Sequence, residues 1–246
     1  MVRFRGKQAL NKLPYSWHLI SLLLVLSVAT AVVASAEAEV WRLETWSTPF
    51  DYSSESRIIN YQPTTVASRV WRLCIAYPHL KDAYWLNVNY GMVQEAQRLG
   101  IAFTLVEAGG YPNLERQRQQ IEQCAEEGAD ALIVGPVSFR GLNQSIVRIS
   151  EQMPVLATVN DIDDAGITAK SGVSWTTMGR VAGEYLAEKH RAGTEPVTVA
   201  WFPGPQGAGW VDFIEAGFKR GLEDSAVEIV VTKWGDTGKE IQRTLV

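Results

Sequence analysis

The sequence predicts an α/β fold in which parallel sheets are flanked by helices and divided between two lobes. Short apolar runs alternate with helical patterns along most of the chain, and their starts lie roughly 25–30 residues apart, as in repeated βαβ units. The alternation then restarts near residue 173. Continuous apolar strands separated by helices are typical of a parallel sheet covered on both faces.

The first 36 residues have the layout of a secretory signal peptide. Four cations and no acid precede an apolar run at 19–34, and Ala34-Ser35-Ala36 supplies the small residues that a signal peptidase needs. The run is about 16 residues long, short of the roughly 20 that span a bilayer, so an uncleaved anchor is the less favoured alternative. We therefore expect an exported mature protein with no stable membrane insertion.

Residues 37–70 carry turn formers and scattered aromatics without a clear period, and we interpret them as a lead-in segment. The first lobe is expected over residues 71–172. Its helices show apolar residues at three- and four-residue steps, and Gly100 and Gly128 end the first two. In chain order, the predicted elements are a strand at 72–77, a helix at 84–99, a strand at 102–107, a helix at 114–125, a strand at 131–134, a helix at 142–151 and a strand at 154–159.

Residues 173–246 are expected to form a second α/β lobe. The predicted elements are a helix at 178–189, a strand at 197–202, a helix at 210–222, a strand at 227–234 and a helix that begins near Gly238. The apolar residues Ile241, Leu245 and Val246 are left with no following element to cover them. We therefore expect this lobe to be incomplete in the chain as given.

The distribution of charge argues against nucleic acid as a partner. The formal net charge is -4, and it becomes -8 without the four N-terminal cations, because 19 Lys and Arg then face 27 Asp and Glu. Backbone phosphates require clustered Lys and Arg. Two cysteines with His79 and His190 are too few for a structural zinc site, and neither histidine lies beside a nucleophile motif. We expect no metal, no cofactor and no catalytic centre.

The two cysteines leave two interpretations open. Cys74 falls in a predicted strand and Cys124 on the face of a predicted helix. An exported protein can form a disulfide between them, whereas two buried thiols would suit the same positions.

Candidate binding residues follow the predicted strands. Parallel sheets bind ligands beyond the carboxyl ends of their strands, which directs attention to loops 78–85, 108–112, 135–139 and 160–166. Tyr84 and Trp85 lie in the first of these loops, Asp82 adds negative charge beside them, and Trp175 lies where the second lobe begins. Aromatic faces hold a methylated ammonium group by cation–π attraction, worth about 0.5–2 kcal/mol per ring. The alternative is that these rings only pack at the start of helices, and Tyr111 either reaches the cleft or caps its own loop.

Several stretches resemble the type I periplasmic binding proteins. They are Asp82-Ala83-Tyr84-Trp85, residues 120–136, Met153-Pro154-Val155-Leu156 and Gly207-Ala208-Gly209. Within that family the chain is most similar to the trimethylamine N-oxide sensors, through its Tyr-Trp pair and its Glu-Ala-Gly-Gly-Tyr loop at 107–111.

The resemblance implies a two-lobed clamshell in the periplasm of a Gram-negative bacterium, without catalytic activity. It implies trimethylamine N-oxide as the ligand, with Tyr84, Trp85, Trp175 and Asp82 at the site. It also implies the periplasmic domain of a sensor histidine kinase as the partner, in a system that controls respiration of the N-oxide. The alternative in the same family is a sugar-binding protein of an ABC transporter, although Trp175 and Asp212 replace polar or arginine side chains that many sugar binders carry. An exported hydrolase is disfavoured because catalytic pairs are missing.

Overall fold

The computed structural model describes residues 40–246, so the predicted signal peptide lies outside the described residues. By internal contacts the chain divides into one unit that includes residues 40–43 and 59–63 and a second that holds 44–58 and 64–246. Two strands lie in the lead-in segment, β1 (Trp41–Trp46) and β2 (Ser56–Tyr61), and they pair with each other. Over residues 40–246, no helix has the length and apolar character needed to cross a membrane.

A five-stranded parallel sheet carries the first half of the second unit. Its strands are β3 (Arg72–Tyr77), β4 (Ala102–Glu107), β5 (Ala131–Val134), β6 (Val155–Val159) and β7 (Ala169–Gly172). They are arranged in the order β4-β3-β5-β6-β7, and each pair of neighbours is parallel. The connecting helices are α1 (Ala83–Leu99), α2 (Leu114–Glu126) and α3 (Asn143–Ser150). The predicted α/β class with parallel sheets is confirmed.

The core of this sheet lies against α2 and α3. Ile121, Leu132, Ile146 and Val155 are among its fully buried side chains. Burying a side chain of this size contributes about 1.5–3 kcal/mol. A disulfide joins Cys74 of β3 to Cys124 of α2 inside the same cluster, so the strand and the helix are also linked covalently.

Strand β7 was not predicted from the sequence, and the reason is its composition. It reads Ala-Lys-Ser-Gly, pairs only with β6 at the edge of the sheet and is mostly exposed. Its Lys170 ammonium lies 3.0 Å from an Asp161 carboxylate oxygen and 2.5 Å from one of Asp164. An edge strand held by backbone pairing and ion pairs lacks the apolar run that marks a buried strand.

A second, two-stranded parallel sheet consists of β8 (Val197–Trp201) and β9 (Val227–Thr232). The helices of this part are α4 (Trp175–Lys189), α5 (Gly209–Gly221) and α6 (Lys239–Leu245). Helix α4 begins three residues earlier than predicted because the Ser174 hydroxyl accepts a hydrogen bond from the Thr177 backbone N–H at 3.2 Å. The difference matters for the site, since it makes Trp175 the first helical residue.

Candidate functional site

Six aromatic side chains form a closed series at the carboxyl ends of the strands. Each ring centroid lies 5.5–6.5 Å from the next, and the last ring returns to the first. In order the members are Tyr84, Trp85, His79, Tyr111, Trp210 and Trp175, and we call this group the aromatic circle. Four members come from the loops that follow strands of the five-stranded sheet or from the first turn of α1. The two tryptophans Trp175 and Trp210 come from α4 and α5.

Asp82 sets the positions of Tyr84 and Trp85. It caps α1, and its Oδ1 accepts a hydrogen bond from the Trp85 backbone N–H at 3.1 Å, which fixes both rings in the first helical turn. Tyr84 is 45% exposed, whereas Trp85 is only 2% exposed. A Cβ at Gly135 would lie 2.3 Å from the Trp85 indole, so only glycine lets this ring pack so closely on the loop after β5. The Trp85 ring is thus buried and fixed in place, whereas the Tyr84 ring is accessible to solvent.

Trp175 and Trp210 open α4 and α5, with their ring centroids 5.5 Å apart. The Trp175 indole N–H donates to the backbone carbonyl of Val159 at 2.9 Å, which ties α4 to the end of β6. The Trp210 indole N–H is buried and makes no hydrogen bond of good geometry among the described residues, although it lies near enough to the Tyr111 hydroxyl to lower the pKa of that group, against the larger effect of burial. A buried donor without a partner lowers stability by about 1–3 kcal/mol, so a ligand acceptor that bonded to this N–H would recover that free energy.

Tyr111 and His79 complete the circle, and both are buried. Burial raises the pKa of the Tyr111 hydroxyl to about 12, so the group lies even further from ionisation at neutral pH than an exposed tyrosine. Its oxygen accepts a hydrogen bond from Asn160 Nδ2 at 2.9 Å, which leaves the hydroxyl proton available to an acceptor. Burial also lowers the pKa of His79, although Asp82, whose Oδ2 lies 3.7 Å from His79 Nε2, acts in the opposite direction.

The structure brings together the residues singled out in the sequence and adds three more. Tyr84, Trp85, Trp175 and Tyr111 all belong to the circle, and Asp82 lies beside it. His79, Asn160 and Trp210 were missed as individual residues. His79 and Asn160 lie in loops that the strand-end rule marks, and Trp210 follows the loop after β8, which is another strand end of the same kind.

In chemical terms this arrangement can attract a small onium compound. Aromatic faces attract a positive centre that has no N–H to donate, and one carboxylate adds negative charge. The Trp210 N–H and the Tyr111 O–H can serve an acceptor on the same molecule. Between residues 40 and 246 there is no group of three or more His, Cys, Asp or Glu side chains suited to a metal ion.

Comparison with known proteins gives the following likenesses. Residues 70–246 match the family model for periplasmic binding proteins and the sugar binding domain of the LacI family. The periplasmic protein TorT of Escherichia coli O157:H7 is 41% identical over 182 residues, which cover 73% of this chain and 52% of TorT. The chain therefore spans about half the length of the curated relatives it matches.

Two solved structures are also similar. An ABC transporter solute binding protein from Bradyrhizobium sp. BTAi1 with bound Bis-Tris is 47% identical, with a TM-score of 0.66 over 85% of this chain and 63% of that one. A complex of the TorS sensor domain with TorT in the presence of TMAO contains a chain 40% identical, with a TM-score of 0.60 over 71% of this chain and 60% of that one.

Proposed function

The chain belongs to the family of periplasmic binding proteins, and from that membership we propose that it is a periplasmic sensor of trimethylamine N-oxide. The ligand binds at the aromatic circle, and its occupancy is passed to the periplasmic domain of a membrane histidine kinase. Proteins of this family hold their ligands rather than transform them. The observation that carries the proposal is the closed series of six rings with one carboxylate beside it.

The methyl groups of the ligand suit the rings. The nitrogen of trimethylamine N-oxide carries a formal positive charge and no hydrogen, so no carboxylate or carbonyl can hold it by a hydrogen bond. Ring faces attract such a centre by about 0.5–2 kcal/mol each, and more strongly where water is excluded. Trp85 is already desolvated, and Tyr84 and Trp175 remain partly accessible to close over the methyl groups.

The oxide oxygen suits the two donors of the circle. It is a strong acceptor, and it would give the Trp210 indole N–H the well-formed hydrogen bond that this group does not make in the described part of the chain. The Tyr111 hydroxyl, which is protonated at neutral pH and whose pKa burial raises further, is the second donor. A ligand without the oxide would leave Trp210 unsatisfied, so this pair gives the site a preference for the N-oxide over a simple quaternary ammonium ion.

Signalling follows from a population shift. A ligand that binds one arrangement of the two sheets better than another increases the population of that arrangement, and a docked partner responds to the change. The TorT relative forms a complex with the TorS sensor domain both without ligand and with TMAO, which supports a kinase partner for this chain as well.

A second candidate is ligand capture for an ABC transporter. It is favoured by the 47% identical relative, which is a solute binding protein of that class with Bis-Tris, itself a tertiary amine. The two candidates share the aromatic circle and differ in the downstream partner, and the transporter candidate admits a sugar as ligand.

Tryptophan fluorescence of the whole chain tests the ligand, with trimethylamine N-oxide, choline and D-arabinose as titrants. Trp210→Phe keeps a ring and removes the N–H, so we expect about tenfold weaker N-oxide binding and little change for choline. Trp201→Phe is the matched control, because Trp201 also has a buried indole N–H without a partner among residues 40–246 but stacks on Phe218 outside the circle. Saturable quenching by the pentose alone, or equal N-oxide affinity of the two variants, would contradict the proposal.

Sedimentation with the purified TorS sensor domain tests the partner. We expect a complex whose affinity changes when trimethylamine N-oxide is added. If the chain binds the N-oxide but forms no complex in either condition, the transporter candidate takes precedence.

A further inference from the structure

We propose that residues 235–238, here called the clasp, position rings of the aromatic circle. The clasp follows β9 of the two-stranded sheet, whereas the rings that it holds lie in loops of the five-stranded sheet. Asp236 and Thr237 act as positioning residues, because they hold His79 and Tyr111 rather than the ligand. This inference extends the proposed function. It rests on that function only where binding of trimethylamine N-oxide is measured.

Asp236 is the centre of the clasp, and its side chain is only 11% exposed. One carboxylate oxygen lies 2.5 Å from the Lys81 ammonium, in the loop after β3. The other accepts hydrogen bonds from the backbone N–H of Tyr111 at 3.3 Å and of Thr237 at 2.8 Å. Hydrogen bonds to a charged group are roughly twice as strong as neutral ones, so this carboxylate links loops of both sheets firmly.

Thr237 holds the histidine of the circle. Its hydroxyl oxygen lies 2.7 Å from His79 Nε2, and His79 Nδ1 has no hydrogen-bond partner among the described residues. The bond made by one ring nitrogen sets the tautomer and orientation of an imidazole. Thr237 therefore fixes the ring that touches Trp85 and Tyr111 on either side.

Gly110 provides the space for this contact. Its φ is +145°, and a Cβ there would lie 2.4 Å from the Asp236 carboxylate and 3.4 Å from the Lys81 ammonium. The glycine stands directly before Tyr111 in the Glu-Ala-Gly-Gly-Tyr loop. Any side chain at this position would push the clasp away from the circle.

The consequence is a coupling between the clasp and the ligand site. His79 and Lys81 share one short loop with Asp82, and Tyr84 and Trp85 follow at once, so the same segment carries clasp contacts at one end and circle rings at the other. Two events that order the same segment stabilise each other by the same factor in both directions. A variant that breaks the clasp contacts must then also weaken ligand binding.

The test uses the whole chain and two readouts. Without ligand, ¹⁵N NMR follows the ring nitrogens of His79, assigned from the spectrum of His79→Gln. Thr237→Val keeps the shape and removes the hydroxyl, so we expect the His79 nitrogen shifts to change. Unchanged His79 shifts would overturn the proposal.

The second readout is affinity for trimethylamine N-oxide in Lys81→Met. We expect binding about fivefold weaker, the lower end of typical coupling between sites. The matched control is Lys219→Met, since Lys219 and Glu215 form an ion pair of the same 2.5 Å length on α5, outside the circle and the clasp. Equal affinity of the two variants would refute the coupling. Absence of N-oxide binding by the unaltered chain would instead refute the proposed function, while the His79 shifts still decide on the clasp.

Discussion

The close packing of α4 against α5 depends on glycine, and adding a single methyl group there should show how much this packing contributes to stability. A Cβ at Gly217 would lie 2.0 Å from the Thr176 carbonyl oxygen, whereas real Cβ contacts stay above 3.0 Å, so the helices would have to separate by at least 1 Å. Overpacking of this kind costs about 1–3 kcal/mol, and three backbone atoms within 2.9 Å of the added Cβ place Gly217 in the upper part of that range, at about 2–3 kcal/mol. Alanine returns about 1 kcal/mol through its higher helix propensity. We expect Gly217→Ala to lower the free energy of unfolding by about 1–2 kcal/mol.

Thermal unfolding followed by circular dichroism measures the effect. A loss of 1 kcal/mol corresponds to about 2–4 °C in a chain of this size. Gly91→Ala is the matched control, because Gly91 lies in α1 with nothing within 4 Å of its Cβ position, and there alanine should raise the midpoint. Since Trp175 and Trp210 stand at the starts of the separated helices, Gly217→Ala should also change the near-UV spectrum. A midpoint at or above that of the unaltered chain would refute this account of the packing.

Three further outcomes are expected. Replacing Cys74 and Cys124 together by alanine should cost about 4 kcal/mol in urea unfolding, because the disulfide closes a loop between residues 50 apart in sequence, and reduction of the unaltered chain should match it. Burial lowers the pKa of His79 in the folded protein, so the stability contributed by its neutral imidazole is complete above the unfolded pKa of 6.5 and is lost as the pH falls through the folded pKa. In His79→Gln, the unfolding midpoint should therefore change less between pH 7.5 and pH 5. Val159→Gly should unfold at a higher temperature than Val159→Ala, because only glycine relieves the φ of 67°, whereas at Val155 in the same strand the alanine variant should be the more stable.

The elements of the first sheet could be predicted because their physical cause is local. A strand covered on both faces is largely apolar, and the inner strands β3, β5 and β6 carry that pattern with turn residues at their ends. Strand β7 has no such cause within its own four residues, since its place depends on backbone pairing with β6 and on the ion pairs of Lys170. Its partners are visible only in three dimensions.

The candidate site divides in the same way. The strand-end rule predicts the loops, and the chemistry of an onium ligand singles out Tyr84 and Trp85 within them and Trp175 where the second lobe begins. The rule does not say which rings will touch, because the circle closes only when α4 and α5 bring their first turns to the loops of the other sheet. Trp210 joins the circle only through that approach, whereas His79 joins it through Trp85 and Tyr111 of its own sheet. Neither residue stands out in the sequence.

Val159 shows why sequence reasoning stops at this point. Valine is among the residues least suited to positive φ, yet Val159 adopts 67° at the end of β6. Its carbonyl accepts the Trp175 indole N–H at 2.9 Å, and the next residue, Asn160, donates to the Tyr111 hydroxyl at 2.9 Å. Strain of about 1–3 kcal/mol persists only where the surroundings impose it. One unfavourable backbone conformation therefore links Trp175 and Tyr111, the rings on either side of Trp210, and local propensity at Val159 opposes the geometry of the candidate site.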